Sequence, residues 1–251
     1  QMTLPSAFFD RPFAHRALHD VGLGRAENST KSIAAAIAAG YGIEVDLQLS
    51  SDGVPMVFHD YDLGRLTGVA GPVAQRTAAE LGAIPLLHDS GGIPTLAQML
   101  NLVAGQAPLL IEFKDQDGQM GQNVGPMGNA AAQILRDYTG AFAVMSFNPH
   151  AVDELQRLLP DAPRGIVTDP YSANDWPILP AHVRDHLRGI PDYARTGSCF
   201  ISHNQADLDA APVAALKSAG AAVFCWTVKS TKVETRARKF ADNITFEGYL
   251  A

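Results

Sequence analysis

Glu44 and Asp46 stand two positions apart in the otherwise apolar run Ile43-Glu-Val-Asp-Leu47. Side chains alternate along a β-strand, so the two carboxylates share one face while Ile43, Val45 and Leu47 share the other. Carboxylates in such a run are costly unless their charge is compensated. Two compensators fit: a hard divalent cation taking oxygen ligands, or salt bridges to a buried Arg or Lys. Glu112 and Lys114 repeat the pattern in Leu110-Ile-Glu-Phe-Lys114. They offer either a third carboxylate ligand beside a cation for an anionic substrate, or a Glu–Lys pair that neutralises itself. His15-Arg16 and His59-Asp60 close two further apolar runs. Histidine exchanges protons near neutral pH, and the arginine fork suits phosphate. Two histidines at strand ends, with carboxylates on neighbouring strands, suit acid–base work. His19, His88, His150, His182 and His186 lack this context and read as surface or packing residues; His203, at a later strand end, is the exception.

The elements that must position these residues alternate in type. Apolar runs of strand length are Pro12–Ala17, Gly42–Ser50, Leu109–Lys114, Phe142–Phe147, Arg164–Asp169, Cys199–Asn204, Ala222–Val228 and Ile244–Phe246. Helical segments lie between them, among them one capped by Ser29 or Thr30 and ended by Gly40, and one opened by Thr95. Asp52-Gly53 signals a turn, with Val54–Phe58 as a returning strand. This order predicts a TIM (β/α)8 barrel as a single domain over residues 1–251, with a doubly wound open sheet as the fold alternative. The length of 251 residues suits one such barrel. A small insertion after the second strand covers about 52–94. The last helix is shortened or missing, which leaves closure to the N-terminal segment or to a partner subunit. The glycine-rich stretch Gln116–Gly128 reads as mobile, and Pro170–Ser198, with Tyr171 and Trp176, reads as a long selection loop.

The formal net charge of −7 argues against a nucleic-acid partner. Cys199 and Cys225 fall in apolar runs and read as buried free thiols, with a disulfide left open; no spacing suggests a thiolate metal site. No stretch approaches the roughly 18–20 apolar residues of a membrane span, so stable membrane insertion is not expected. The N-terminus shows no leader pattern, and Gln1 before Met2 resembles a tag scar. A soluble cytoplasmic protein is the expectation.

Taken in order, these motifs resemble the glycerophosphodiester phosphodiesterase family. That pattern runs His-Arg-Gly, Pro-Glu-Asn-Thr, Glu-x-Asp, an Asp-Gly turn and His-Asp. Here the residues are His15-Arg16-Ala17, Ala26-Glu27-Asn28-Ser29, Glu44-Val45-Asp46, Asp52-Gly53 and His59-Asp60. Leu63-Gly64-Arg65-Leu66-Thr67, Pro94-Thr95-Leu96, Ile111-Glu112-Phe113-Lys114, Ser146-Phe147 and Trp226-Thr227-Val228 match later pieces, so the resemblance spans nearly the whole chain. Ala17 stands where the family has glycine, Ala26 where it has proline, and Glu247 where an aspartate is expected.

The resemblance implies hydrolysis of a small soluble glycerophosphodiester to glycerol phosphate and an alcohol. It implies Glu44, Asp46 and Glu112 as ligands of one divalent cation, Mg2+ or Ca2+ with Mn2+ also open. His15 and His59 become the acid–base pair, provisionally base and acid in that order. Arg16 and Lys114 become phosphate contacts, and Phe147 and Trp226 apolar walls for the alcohol. The partner is a small-molecule phosphodiester; the oligomeric state stays open. Sphingomyelinase D-like phospholipases resemble the same site, but the chain lacks the cysteine pairing of a secreted toxin. A non-catalytic barrel binding a phosphorylated ligand is disfavoured by two histidines beside three carboxylates. A zinc amidohydrolase type would bring a His-x-His pair, which the sequence does not contain.

Overall fold

Nine strands and ten helices follow one another in the computed structural model, which describes residues 2–251. The strands are β1 (Phe13–Ala14), β2 (Gly42–Leu49), β3 (Pro55–Val57), β4 (Leu109–Phe113), β5 (Phe142–Ser146), β6 (Arg164–Thr168), β7 (Phe200–Asn204), β8 (Ala222–Val228) and β9 (Asn243–Phe246). The helices are α1 (Ala7–Asp10), α2 (Thr30–Ala39), α3 (Gly64–Thr67), α4 (Ala78–Ala83), α5 (Leu96–Val103), α6 (Met127–Leu135), α7 (Pro149–Leu158), α8 (Ala181–Arg188), α9 (Ala211–Ser218) and α10 (Thr231–Ala237). Eight parallel strands with intervening helices make this a TIM (β/α)8 barrel, with β3 appended antiparallel to β2. The chain divides into two compact units: Phe13–Lys114 with Gly125–Phe142, and Asp115–Val124 with Ala143–Ala251 and the segment up to Pro12.

In the first unit, β2 pairs in parallel with both β1 and β4, and its register sets Asp46 beside Glu112. The β1–β2 approach needs glycine at 42, because a Cβ there would lie 2.7 Å from the Phe13 ring. The strand expected over Pro12–Ala17 is shorter, since Arg16 and Ala17 turn out of it at φ +53° and +64°. Helix α2 is closed as expected, with Ser29 Oγ accepting from Ser32 N at 3.1 Å and Gly40 at φ +74°. Thr95 and Gln98 exchange backbone and side-chain bonds to open α5.

The insertion is no bare loop. It folds α3 and α4 over a small core of Met56, Phe58, Leu63, Val73, Leu81 and Ile93. Thr77 and Glu80 form a capping box at α4. Ala26 joins this core, and its N–H donates to Asp89 at 3.0 Å. The insertion thus braces the turn that carries Glu27 and Asn28.

In the second unit, β5 to β9 run parallel in sequence order. Asn148 caps α7 by accepting from His150 N at 2.9 Å, with Pro149 in the first turn. Pro170–Ser198 contains helix α8, which the polar composition of that stretch concealed. The segment 115–124 is pinned at Asp115, which accepts from Met120 N and Asn148 Nδ2, both at 2.9 Å. No helix follows β9 among the described residues. The N-terminal helix α1 packs there instead: Phe8 is buried, and Phe9 meets Phe224 at 5.7 Å between centroids. Asn243 Nδ2 donates to the carbonyls of Phe8 and Arg11, both at 2.8 Å. Cys199 and Cys225 are free, the second fully buried. No helix among the described residues is long and apolar enough to cross a membrane.

Candidate active site

The alternation of β2 and the in-register pairing of β4 put Glu44, Asp46 and Glu112 on one face. Their ligand oxygens all lie within 4.8 Å of one another, and all three residues are buried. Lys114, just past β4, donates to Glu112 Oε1 at 2.9 Å and lies 3.5 Å from Asp46 Oδ1. Arg16 Nε lies 3.7 Å from Asp46 Oδ2. The left-handed turn at Arg16 also aims its backbone N–H at Glu44 Oε2, 2.9 Å away. Asn28 completes the cradle, donating Nδ2 to Asp46 Oδ2 at 3.0 Å.

Charge in this cluster is unevenly held. Burial would raise Asp46, but Lys114, His59, Arg16 and the Asn28 bond together hold it well below the ordinary carboxylate range. Glu44 goes the other way: burial, then the charges of Asp46 and Glu112, push its carboxyl well above the usual range. Burial, with Asp46 adding to it, also raises Glu112, against the pull of Lys114. Lys114 stays charged despite burial, because Glu112 and Asp46 face it. Of the two compensators weighed from sequence, the salt bridges are present, through Lys114 and Arg16, and they do not meet all of the carboxylate charge.

His15 Nε2 lies 4.0 Å from Glu44 Oε2. His59 Nδ1 meets Asp60 Oδ1 at 2.7 Å, and Gln48 Nε2 donates to the His59 carbonyl at 3.0 Å. Arg65 then forks twice. Its Nε and Nη2 donate to Asp60 at 2.8 and 2.9 Å, and its Nη1 and Nη2 to Glu27 at 3.0 and 2.7 Å. Glu27 also accepts from Arg16 Nη1 at 2.9 Å. A continuous chain of hydrogen bonds so joins His59 to Arg16. Asp60 overcomes its partial burial through the His59 and Arg65 bonds and sits well below the ordinary range. An ionised carboxylate only accepts, so His59 carries its ring proton on Nδ1 and leaves Nε2 for chemistry.

Sequence reasoning gave Glu27, Asn28, Asp60 and Arg65 no role, although each lies inside a quoted motif. For Glu27 and Asn28 the signal is partnership across 11 to 38 positions, which one sequence does not display. Phe147 and Trp226 fall in the second unit, where their centroids are 5.7 Å apart. Trp176, from Pro170–Ser198, joins Phe147 at 5.2 Å. His203 is buried with both ring nitrogens engaged, Nδ1 by Thr168 Oγ1 at 2.7 Å and Nε2 by Asp207 at 3.0 Å, a structural tie rather than a free acid or base.

The model of the glycerophosphoryl diester phosphodiesterase family matches residues 15–243 of this chain. A Bacillus subtilis protein bearing the glycerophosphodiester phosphodiesterase name is 26% identical over 206 residues, which is 77% of this chain and 76% of the relative. Among solved structures, an Oleispira antarctica phosphodiesterase in complex with the product sn-glycerol-3-phosphate superposes with a TM-score of 0.76 at 21% identity, over 96% of this chain and 94% of that one. A glycerophosphodiester phosphodiesterase from Parabacteroides distasonis gives a TM-score of 0.72 at 24% identity, over 93% of this chain and 91% of that one. At such identities the structural likeness is one of fold.

Proposed function

The chain belongs to the glycerophosphoryl diester phosphodiesterase family, and on that premise we propose that it hydrolyses a small glycerophosphodiester to glycerol phosphate and an alcohol, using one divalent cation and the His15–His59 pair. The observation that carries this reading is the buried cluster of Glu44, Asp46 and Glu112. Its donors are all carboxylate oxygens, the set preferred by Mg2+, Ca2+ or Mn2+. Glu44, pushed toward its protonated form by burial and by its two neighbours, is the residue a cation would relieve.

A bound divalent cation supplies Lewis-acid charge at a non-bridging phosphate oxygen. Lys114 and Arg16 add fixed positive charge beside the cluster, so charge developing on the phosphoryl oxygens meets groups already in place. His15 takes the proton of the nucleophile, whether water or a neighbouring hydroxyl of the glycerol. As an imidazolium held at Nδ1 by Asp60, His59 gives its Nε2 proton to the leaving alkoxide. Arg65 keeps Asp60 ionised and in line. Phe147 and Trp226 are kept as alcohol contacts on the resemblance of their strand-end motifs.

The test is a panel of glycerophosphocholine, glycerophosphoethanolamine, glycerophosphoinositol and a chromogenic diester, assayed with Mg2+, Mn2+, Ca2+ or chelator. Cation-dependent release of glycerol phosphate is expected. Turnover that survives complete chelation would remove the metal, and no turnover of any diester would remove the activity. A cyclic phosphate among the products assigns the nucleophile to the neighbouring hydroxyl, and its absence to water.

A further inference from the structure

Helix α7 buries Val152 and Leu155 on one side and carries His150, Asp153, Glu154 and Arg157 on the other. The spacing of these four sets them in a single polar stripe. They line a cavity of about 570 Å³. Its other walls are His186 of α8, the turn with Asp192 and Arg195, and Gln122 and Val124. Every one of these residues belongs to the second unit. Both flanking segments are tied down. Asn148, the cap of α7, donates Nδ2 to the Gly121 carbonyl at 2.8 Å, and Thr196 Oγ1 donates to the Asp192 carbonyl at 3.0 Å.

The charges of the cavity fall into two groups. One is closed: His186 Nε2 meets Asp192 Oδ2 at 2.8 Å, Arg195 Nε donates to Asp192 Oδ1 at 2.9 Å, and Arg195 Nη1 lies 3.8 Å from Asp153 Oδ2. The other is open. The side chains of His150, Glu154 and Arg157 make no hydrogen bond or ion pair among the described residues. Glu154 and Arg157 stand three positions apart on one helix, a spacing at which opposite charges can pair, yet they do not meet. Burial raises the Glu154 carboxyl against the pull of Arg157, so its charge is short of compensation. Single unpaired side chains are common on a surface. Here an acid, a base and an imidazole open into one cavity whose remaining charges are already matched, and its volume falls in the range of small-molecule sites, roughly 300–1,000 Å³.

We propose that this cavity binds a small zwitterion, its ammonium held by Glu154 and His150 and its oxyanion by Arg157. A carboxylate and an imidazole nitrogen are both acceptors for an ammonium. The guanidinium fork takes a carboxylate or a phosphate through two parallel bonds. Because Glu154 and Arg157 do not reach each other, the charges of the ligand must stand a few bonds apart, as in an ω-amino acid or an aminoalkyl phosphate. A ligand of one sign would leave either Glu154 or Arg157 unanswered. The site lies wholly in the second unit and does not rest on the diesterase reading.

The experiment titrates the full chain by calorimetry with γ-aminobutyrate and with O-phosphoethanolamine. The single-charge controls are butylamine, butyrate, ethanolamine and inorganic phosphate. Isotope-labelled histidine reports on the His150 ring by NMR, its signal assigned with His150→Gln. At least one zwitterion should bind about ten-fold more tightly than either of its halves and shift the His150 signal. No binding of either zwitterion, or a half that binds as well as the whole, would overturn the site. Binding that leaves the His150 signal unmoved belongs elsewhere and counts equally against it. Glu154→Gln and Arg157→Gln should each lower the affinity of the zwitterion about ten-fold, to the level of its halves, with the melting temperature unchanged. Unchanged affinity in both variants would sink the assignment. Should a variant fail to fold, the comparison of zwitterions with their halves on the unaltered chain still decides. Diester turnover is not part of the readout, so failure of this site and failure of the diesterase reading stay distinguishable.

Discussion

The candidate chemistry of the first unit is charged and rests on strands, whereas that of the second is aromatic and rests on strand ends and a long connection. Glu44, Asp46 and Glu112 are placed by a β-ladder, in which one residue of slip would turn every carboxylate to the opposite face. Arg65, Glu27 and Asp60 then fix the neighbouring side chains through forked, charge-assisted bonds. Phe147, Trp176 and Trp226 meet through ring packing, which tolerates changes of shape better than a fork of hydrogen bonds does. The difference teaches where to look for each kind of effect. Damage to the first region should appear as lost rate, and damage to the second as lost discrimination.

The strongest test of that division is withdrawal of the cation. Chelation should abolish turnover, and restoring the ion should raise the unfolding temperature, since a ligand of the native state alone adds about 2.7 kcal/mol at roughly 100 times its Kd. A melting curve blind to Mg2+, Ca2+ and Mn2+ alike would break the metal assignment without any activity assay. Next in size, His59→Ala should lower turnover of an alkyl diester by about 10²–10⁴-fold and spare a nitrophenyl diester in part. Equal losses on both substrates would take the acid role from His59.

Arg65→Lys tests whether the charge matters or its shape. A lysine reaches one carboxylate but cannot fork to Asp60 and Glu27 together, so kcat should fall by about ten-fold with KM little changed. Full activity in this variant would reduce the network to surface ion pairs. A smaller effect is expected at Ala17, held at φ +64° where its family pattern has glycine. Ala17→Gly should relieve left-handed strain at the cost of unfolded-chain entropy, a net gain of up to about 1 kcal/mol by chemical denaturation.

The least effect sits in the second region, at His203. Burial holds its imidazole below the ordinary value, against the pull of Asp207. The unfolded chain therefore binds the proton first, so this contribution is intact above about pH 6.5 and is lost as the pH falls toward the depressed folded value. His203→Gln should flatten the acid side of a plot of melting temperature against pH; an unchanged slope would leave the ionisation elsewhere.

The two regions were also unequally legible. Period-two alternation and caps such as Ser29 and Thr95 are local signals, so β2, β4, α2 and α5 could be read directly, and with them the carboxylate face. Arg65 could not be read, because its partners Glu27 and Asp60 are chosen by the path of the insertion. Trp176 was equally hidden: nothing near it in sequence announces Phe147 or Asp169 as its neighbours. The stretch after His59 was legible only as an insertion, yet its small apolar core is what holds Ala26 and the turn beside it.

The two bonds from Asn243 to Phe8 and Arg11 span 235 and 232 positions. During synthesis the amino-terminal helix emerges long before the strand that receives it. Phe8 and Arg11 therefore gain this partner only once β9 has been made, and the second unit cannot close before then. Contacts of such separation slow the search for the native state. Loss of the two bonds, as in Asn243→Ala, should be felt first as slow, chaperone-hungry maturation.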